Sequence, residues 1–469
     1  MINLKIPYGY LVSILMSCLL VLNTQAQPFT WKVNNDGWVL SKNPDSNRYE
    51  KFFAIGTWHV PGYEFTNSQE PDEQKRQSNA ALFKERTKPF NMFFVTPGYE
   101  KDYMSDKIHI LNPFSPILHG YLDEVSELPD GNDKDYYRAQ YIKQNVDSPE
   151  FEKYLDKKIE GVLEKLPNDK YIYSHIDELA LGGVARWAVP PSVGAKINSR
   201  LKKQDREALV FVDLVGHCKG STYFFEQRYL KNHDSLPENP PYELVDPEAR
   251  NCKIPLLGFY EAHNGSPVYQ FDDGKYSYTN YDFETLKSIW YENAKLLAGD
   301  YKESGDVFGI NAFLDFSNYP VLTGVTVDAL KDALGDEVPV WLYFDGNGYA
   351  KPSSLSSQEY VDMVKCQIYT AIIHGATGIL FWNDWSKTPE VFETLLPVLE
   401  ELNDNLSVVK LDTEQKTIDD DLHMVIKSGK KGEKYIMVSN TSKTETLSIG
   451  IHGVDKKELL PLEVYIASF

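Results

Sequence analysis

Between residues 52 and 402 the chain alternates short apolar runs with amphipathic stretches about eight times. Few folds satisfy that pattern. A buried run followed by a helix-length amphipathic segment builds a parallel sheet one unit at a time. The runs fall at 52–56, 90–95, 107–111, 171–178, 208–214, 307–315, 338–344 and 378–382. Helical periodicity falls at 80–88, 151–166, 193–204, 283–298, 325–334, 357–374 and 389–402. Ser356-Ser-Gln-Glu359 supplies a capping-box start for one of these helices. The expectation is an α/β chain with a (β/α)8 TIM barrel over residues 27–404. A doubly wound sheet is the alternative, but no Gly-rich phosphate loop follows the first strand.

Both ends of the chain follow a different grammar. Trp31-Lys-Val and Gly37-Trp-Val-Leu40 alternate enough for a short hairpin ahead of the barrel. After residue 405 come short alternating runs at 422–427, 434–439, 446–451 and 462–466, joined by Gly, Lys and Asn turns. They predict a small antiparallel, sandwich-like β-domain over 405–469, packed on the barrel. Residues 1–26 carry Lys5, an apolar run and a small residue, Ala26, before Gln27. That is the pattern of a secretory signal peptide and predicts a secreted or periplasmic protein. Lipidation at Cys18 is the rival reading; Met16 is bulky for a lipidation box and the apolar run continues past Cys18. The run is too short to span a bilayer, so no transmembrane segment is expected after cleavage.

The formal net charge of -20 argues against nucleic acid and anionic membranes as partners, because both need basic patches. The mature chain keeps Cys218, Cys252 and Cys366. The odd number leaves at least one thiol free, and Cys218 and Cys252 either bridge or pack as small hydrophobes. No Cys or His spacing suggests a metal site, and no cofactor is expected. The insertion at 216–281, rich in Pro, Asn, Asp and Tyr, is long enough to be functional. Oligomeric state is silent.

In a barrel, chemistry sits at the C-terminal tips of the strands. Tyr171-Ile-Tyr-Ser-His-Ile-Asp-Glu178 is the clearest tip, an aromatic and β-branched run ending in two carboxylates. Other tips carry Trp58 and His59, Asp213, Asp315, Asp345, and Asp384 between Trp382 and Trp385. Each lone acid has a plain alternative, capping the next helix or closing a turn. Paired acids among Trp and Tyr, without a nucleotide loop, suit glycosidic bond cleavage. One carboxylic acid protonates the leaving oxygen while another carboxylate attacks or activates water. Flat rings hold the C–H face of a sugar. A metal-assisted hydrolase using the Asp cluster with His59 and His175 is a weaker reading.

Three segments carry a family resemblance: Phe53-Ala-Ile-Gly-Thr-Trp-His-Val-Pro-Gly62, Tyr173-Ser-His-Ile-Asp-Glu178, and Val338-Pro-Val-Trp341 with Ile373-His-Gly-Ala-Thr-Gly-Ile-Leu-Phe-Trp382. They resemble strands 1, 4, 7 and 8 of the (β/α)8 glycoside hydrolases of the retaining clan and their bacterial relatives. The resemblance implies a carbohydrate substrate, Glu178 as general acid and a partner carboxylate at the end of strand 7. On the glycosidase reading, Trp58, His59, His175, Asp177, Tyr343, Trp382, Asp384 and Trp385 at these strand tips line the sugar site. Two departures stand out. Asp177-Glu178 replaces the family's Asn-Glu pair, and Phe344-Asp345-Gly346 stands where its nucleophilic glutamate would be. Asp345 is the first choice as second carboxylate, with Glu261 and Asp315 as alternatives. An inactive carbohydrate-binding barrel is the reading from another functional class.

Overall fold

The computed structural model describes residues 31–43, 47–58, 74, 81, 84–95, 107–111, 144–164, 171–175, 191–215, 283–311, 316, 319–348, 351–382, 389–451 and 454–469. The first strands are β1 (Trp31–Val33), β2 (Val39–Asn43) and β3 (Arg48–Lys51), an antiparallel sheet. The parallel strands follow: β4 (Ala54–Trp58), β5 (Met92–Val95), β6 (Ile108–Leu111), β7 (Tyr171–Ser174), β8 (Val210–Val215), β9 (Val307–Asn311), β10 (Trp341–Asp345) and β11 (Gly378–Trp382). Between and after them run α1 (Pro149–Leu163), α2 (Pro191–Gln204), α3 (Phe283–Tyr301), α4 (Leu322–Leu334), α5 (Ser357–His374) and α6 (Pro389–Val409).

The parallel strands pair in the order β10-β11-β4-β5-β6-β7-β8-β9, and β9 returns to β10. That last seam is thin, one ladder pair (Tyr343 with Asn311) and one bridge (Phe308 with Val340). Strand alternation explains how the ring is filled. On β10, Trp341 and Tyr343 join an interior cluster with Ala54, Met92, Phe94, Ile110, Ile172, Phe211 and Leu380. Leu342 and Phe344, one residue out of phase, join the layer between strands and helices. The Phe211 ring stacks on Trp341 at 5.7 Å. Gly309 makes this possible, because a Cβ there would collide with the Trp341 carbonyl and the Phe211 ring. The N-terminal sheet closes the opposite end, where Trp31 meets Phe52 and Phe52 meets Trp341. The expected hairpin is therefore a three-stranded plug.

The capping box forms as expected. The Glu359 amide donates to Ser356 Oγ at 3.2 Å, and the Ser356 amide donates to Glu359 Oε2 at 2.8 Å. Ser356→Ala should cost about 1 kcal/mol in urea unfolding. An unchanged midpoint would show that the cap adds nothing.

The C-terminal β-domain comprises β12 (Asp412–Asp419), β13 (Leu422–Ser428), β14 (Lys434–Asn440), β15 (Leu447–Ile451), β16 (Val454–Leu459) and β17 (Val464–Ser468). Strands β12-β13-β14-β17 form one antiparallel sheet and β15-β16 a hairpin. Met424, Ile436 and Val438 face Ile449 and Leu459 of the hairpin. The alternate residues Val425 and Met437 join the barrel's own core. Strand β12 was not expected: its eight residues are almost wholly exposed, so it carries no alternation to read.

Polar groups also cross between domains. Thr370 Oγ1 lies 2.8 Å from Ser439 Oγ, and Cys366, a buried free thiol, donates to the Asn440 carbonyl. His374 Nδ1 lies 2.7 Å from Asp328 Oδ2 and its Nε2 lies 2.7 Å from His423 Nδ1. Cys218 and Cys252 lie outside the described residues. Among the described residues no helix is long and apolar enough to cross a membrane.

Candidate functional site

Three of the expected site residues meet at the C-terminal edge of the ring. Asp345 pairs with Trp382 across β10 and β11, and Trp382 pairs with Trp58 across β11 and β4. Each is the last residue of its strand. The Gly346 amide donates to the Trp382 carbonyl at 3.2 Å, fixing the turn after β10. Trp382 is half-buried.

Asp345 is 3% exposed. Its Oδ1 accepts from the Asn347 amide at 3.0 Å, an Asx turn. Its Oδ2 accepts from the Tyr360 hydroxyl at 2.6 Å. Tyr360 is fully buried in the first turn of α5. Both oxygens thus act as acceptors, an arrangement made for a carboxylate rather than a carboxylic acid. Nothing in the local sequence announced the Tyr360 bond.

Below this edge the inward face turns polar. Around a barrel of this kind, positions of equal height advance about one residue per strand relative to the ladder. Asp213 pairs with Gly309 and Asn311 pairs with Tyr343, so Asp213 and Tyr343 lie at one level. Ser174 pairs with Phe211, which puts Ser174 one level lower, beside Gly309. Asn311 stands between the heights of Asp213 and Asp345. Alternation turns Ser174, Asp213 and Asn311 inward, since Ile172 and Phe211 are interior while Tyr173, Val212 and Ile310 belong to the helix-facing layer. Ser174 and Asp213 are buried and Asn311 is half-buried. Tyr343 is buried, with its ring 5.9 Å from both Phe94 and Phe211, so it is part of the packed interior beneath the mouth.

His175 departs from its expected position beside the sugar. It follows Tyr173 in the helix-facing alternation and is fully buried. Burial pushes the imidazole down to about 4, with backbone hydrogen bonding at Ser304 and Gly194 opposing that shift. Those neighbours belong to the turn before β9 and to α2, and the placement suits packing rather than sugar contact. His59, Asp177, Glu178, Asp384 and Trp385, with Glu261 and Asp315, lie outside the described residues.

No protein-family model matches the chain, and no curated protein matches it. Similar solved structures include Eubacterium rectale Amy13B, at 9% identity and TM-score 0.46, with 94% of this chain and 97% of that chain covered. The endo-beta1,6-glucanase BT3312 aligns at 10% identity and TM-score 0.41, covering 95% of each chain. A family 39 glycoside hydrolase from the gut symbiont Bacteroides cellulosilyticus WH2 aligns at 8% identity and TM-score 0.37, covering 91% of this chain and 81% of that one.

Proposed function

We propose that this protein is a secreted or periplasmic glycoside hydrolase that cleaves a polysaccharide or oligosaccharide by a two-carboxylate mechanism. The observation that carries the reading is the registered row Asp345, Trp382 and Trp58 along the C-terminal edge of three neighbouring strands. A carboxylate beside tryptophan positions is what a glycosyl unit needs: a negative group for the anomeric centre and flat apolar surface for its C–H face. Glu178 is the general acid and protonates the leaving oxygen. Asp345 attacks the anomeric carbon or takes a proton from the attacking water. The separation of the two carboxyl groups sets the course, about 5 Å for retention and about 6.5–9.5 Å for inversion. A leader over residues 1–26 delivers the chain to the compartment where such polymers are met.

The first test is a screen of the purified protein against a polysaccharide panel, reading new reducing ends. On any substrate so found, Glu178→Gln should lower turnover by about a thousand-fold. Undiminished turnover would remove Glu178 from the mechanism. One observation favours the rival, a carbohydrate-binding barrel without catalysis: both Asp345 oxygens are already engaged within the fold. Glycan-array binding without product release would establish that rival.

A further inference from the structure

Helix α5 meets the β-domain along a single row of side chains. Cys366, Thr370 and His374 follow one another at four-residue spacing, which puts them on one face of the helix. Cys366 donates to the Asn440 carbonyl at 3.3 Å, Thr370 Oγ1 lies 2.8 Å from Ser439 Oγ, and His374 Nε2 lies 2.7 Å from His423 Nδ1. Burial pushes the Cys366 thiol up to about 12. Of the three contacts, only the paired rings therefore take up protons as the solution turns acid.

Both rings are buried. His374 Nδ1 faces Asp328 Oδ2 at 2.7 Å, so the space between the rings is left to one proton. With both rings charged, two N–H groups would meet head-on and the contact would break. The surroundings give a second charge little support. Asp328 already serves Lys416 of β12 at 3.3 Å, and Lys331 of α4 lies in the same field. Lys287 of α3 also opposes charge on His423, while the Asp420 backbone and Asp328 favour it. Asp421 accepts from the Thr441 hydroxyl at 2.9 Å.

We propose that the His374–His423 pair is a pH-operated latch whose protonation releases the β-domain from α5 while the barrel stays folded. The direct run from Val409 at the end of α6 to Asp412 at the start of β12 keeps the released domain tethered. Docked, His423 is held down to about 3 by burial and by His374. Released, it titrates near the ordinary imidazole value of about 6.5. The latch is thus closed above that value and weakens as pH falls through it. Between pH 7 and pH 5 the open form should gain about twenty-five-fold over the docked form.

Cys366 reports the opening, because it is buried against the β-domain at the far end of the same row. The full chain is pulsed with a dipyridyl disulfide at pH 7 and pH 5, and modification is read at the Cys366 peptide by mass spectrometry. Dividing the rate by that of the urea-unfolded chain at the same pH gives the open fraction. That fraction should rise about twenty-five-fold in wild type and less than about threefold in His423→Gln. Each protein is judged by its own change with pH, so a variant that starts more open still decides the matter. A change below about threefold in wild type, or the same change in both proteins, would overturn the latch. Global unfolding gives a different signature, because His175 then titrates as well. Wild type would rise several hundred-fold and His423→Gln still about twenty-fold. That result would overturn local release and leave the rings acting on the whole fold.

Discussion

Asp345→Asn is expected to lower turnover by about a thousand-fold or more while leaving the protein folded. That loss equals about 4 kcal/mol of transition-state stabilisation. The fold should survive because the asparagine carbonyl can still accept from the Asn347 amide, and the Tyr360 hydroxyl can rotate to accept from the new amide N–H. The stability cost is then about 1 kcal/mol, that of an altered hydrogen bond. Tyr360→Phe separates orientation from charge. It leaves the carboxylate in place but removes the bond to Oδ2, so a moderate fall in kcat with a shifted acid limb in the pH profile is expected. Near-wild-type kcat in Asp345→Asn would reduce Asp345 to a turn-closing residue and turn the case toward the non-catalytic rival.

The fold was legible where a segment is buried in a way that leaves a period. Strand β11 and helix α5 match their expected bounds, because one is an unbroken apolar run and the other begins with a capping box. Strand β12 was missed because a nearly fully exposed strand has nothing to alternate. Helix α6 runs seven residues past its expected end at Leu402, to Val409, through a polar stretch that periodicity alone would not extend. The candidate site was legible in part. The register that lines up Asp345, Trp382 and Trp58 follows from strand ends the sequence already marked. The direction of His175 was readable too: with Ile172 inward, alternation sends residue 175 to the helices, and placing it at the right end of the strand did not place it on the right face. The bond from Tyr360 to Asp345 could not be read, since it joins a strand tip to a helix fifteen residues on through a turn of unknown shape.

Acidification should destabilise the protein steeply below about pH 6.5, the ordinary imidazole value. Two buried rings drive this. Burial, aided by the neighbouring His374, pushes His423 down to about 3, against the backbone at Asp420 and the charge of Asp328. Burial pushes His175 down to about 4. As pH falls from about 6.5, the unfolded chain takes a proton at each ring while the folded chain refuses it, so the folded state loses roughly 1.4 kcal/mol per pH unit for each ring. By pH 4 the combined loss is on the order of 5 kcal/mol, comparable with the whole stability of many domains. The cause is visible in the geometry. Asp328 takes His374 Nδ1, and His374 Nε2 meets His423 Nδ1, leaving room for one shared proton on that contact and none for two. Asp328 acts in the same direction: burial alone would raise its carboxyl, but His374 and Lys416 outweigh burial and hold it below the usual range. Urea unfolding followed from pH 7 to pH 4 reads the effect. His423→Gln keeps a hydrogen-bonding side chain that does not titrate, so its stability should fall less steeply, by about 1.4 kcal/mol per pH unit, between pH 6 and pH 4. Equal slopes in wild type and variant would mean that the ring between the two domains is not the group that resists protonation.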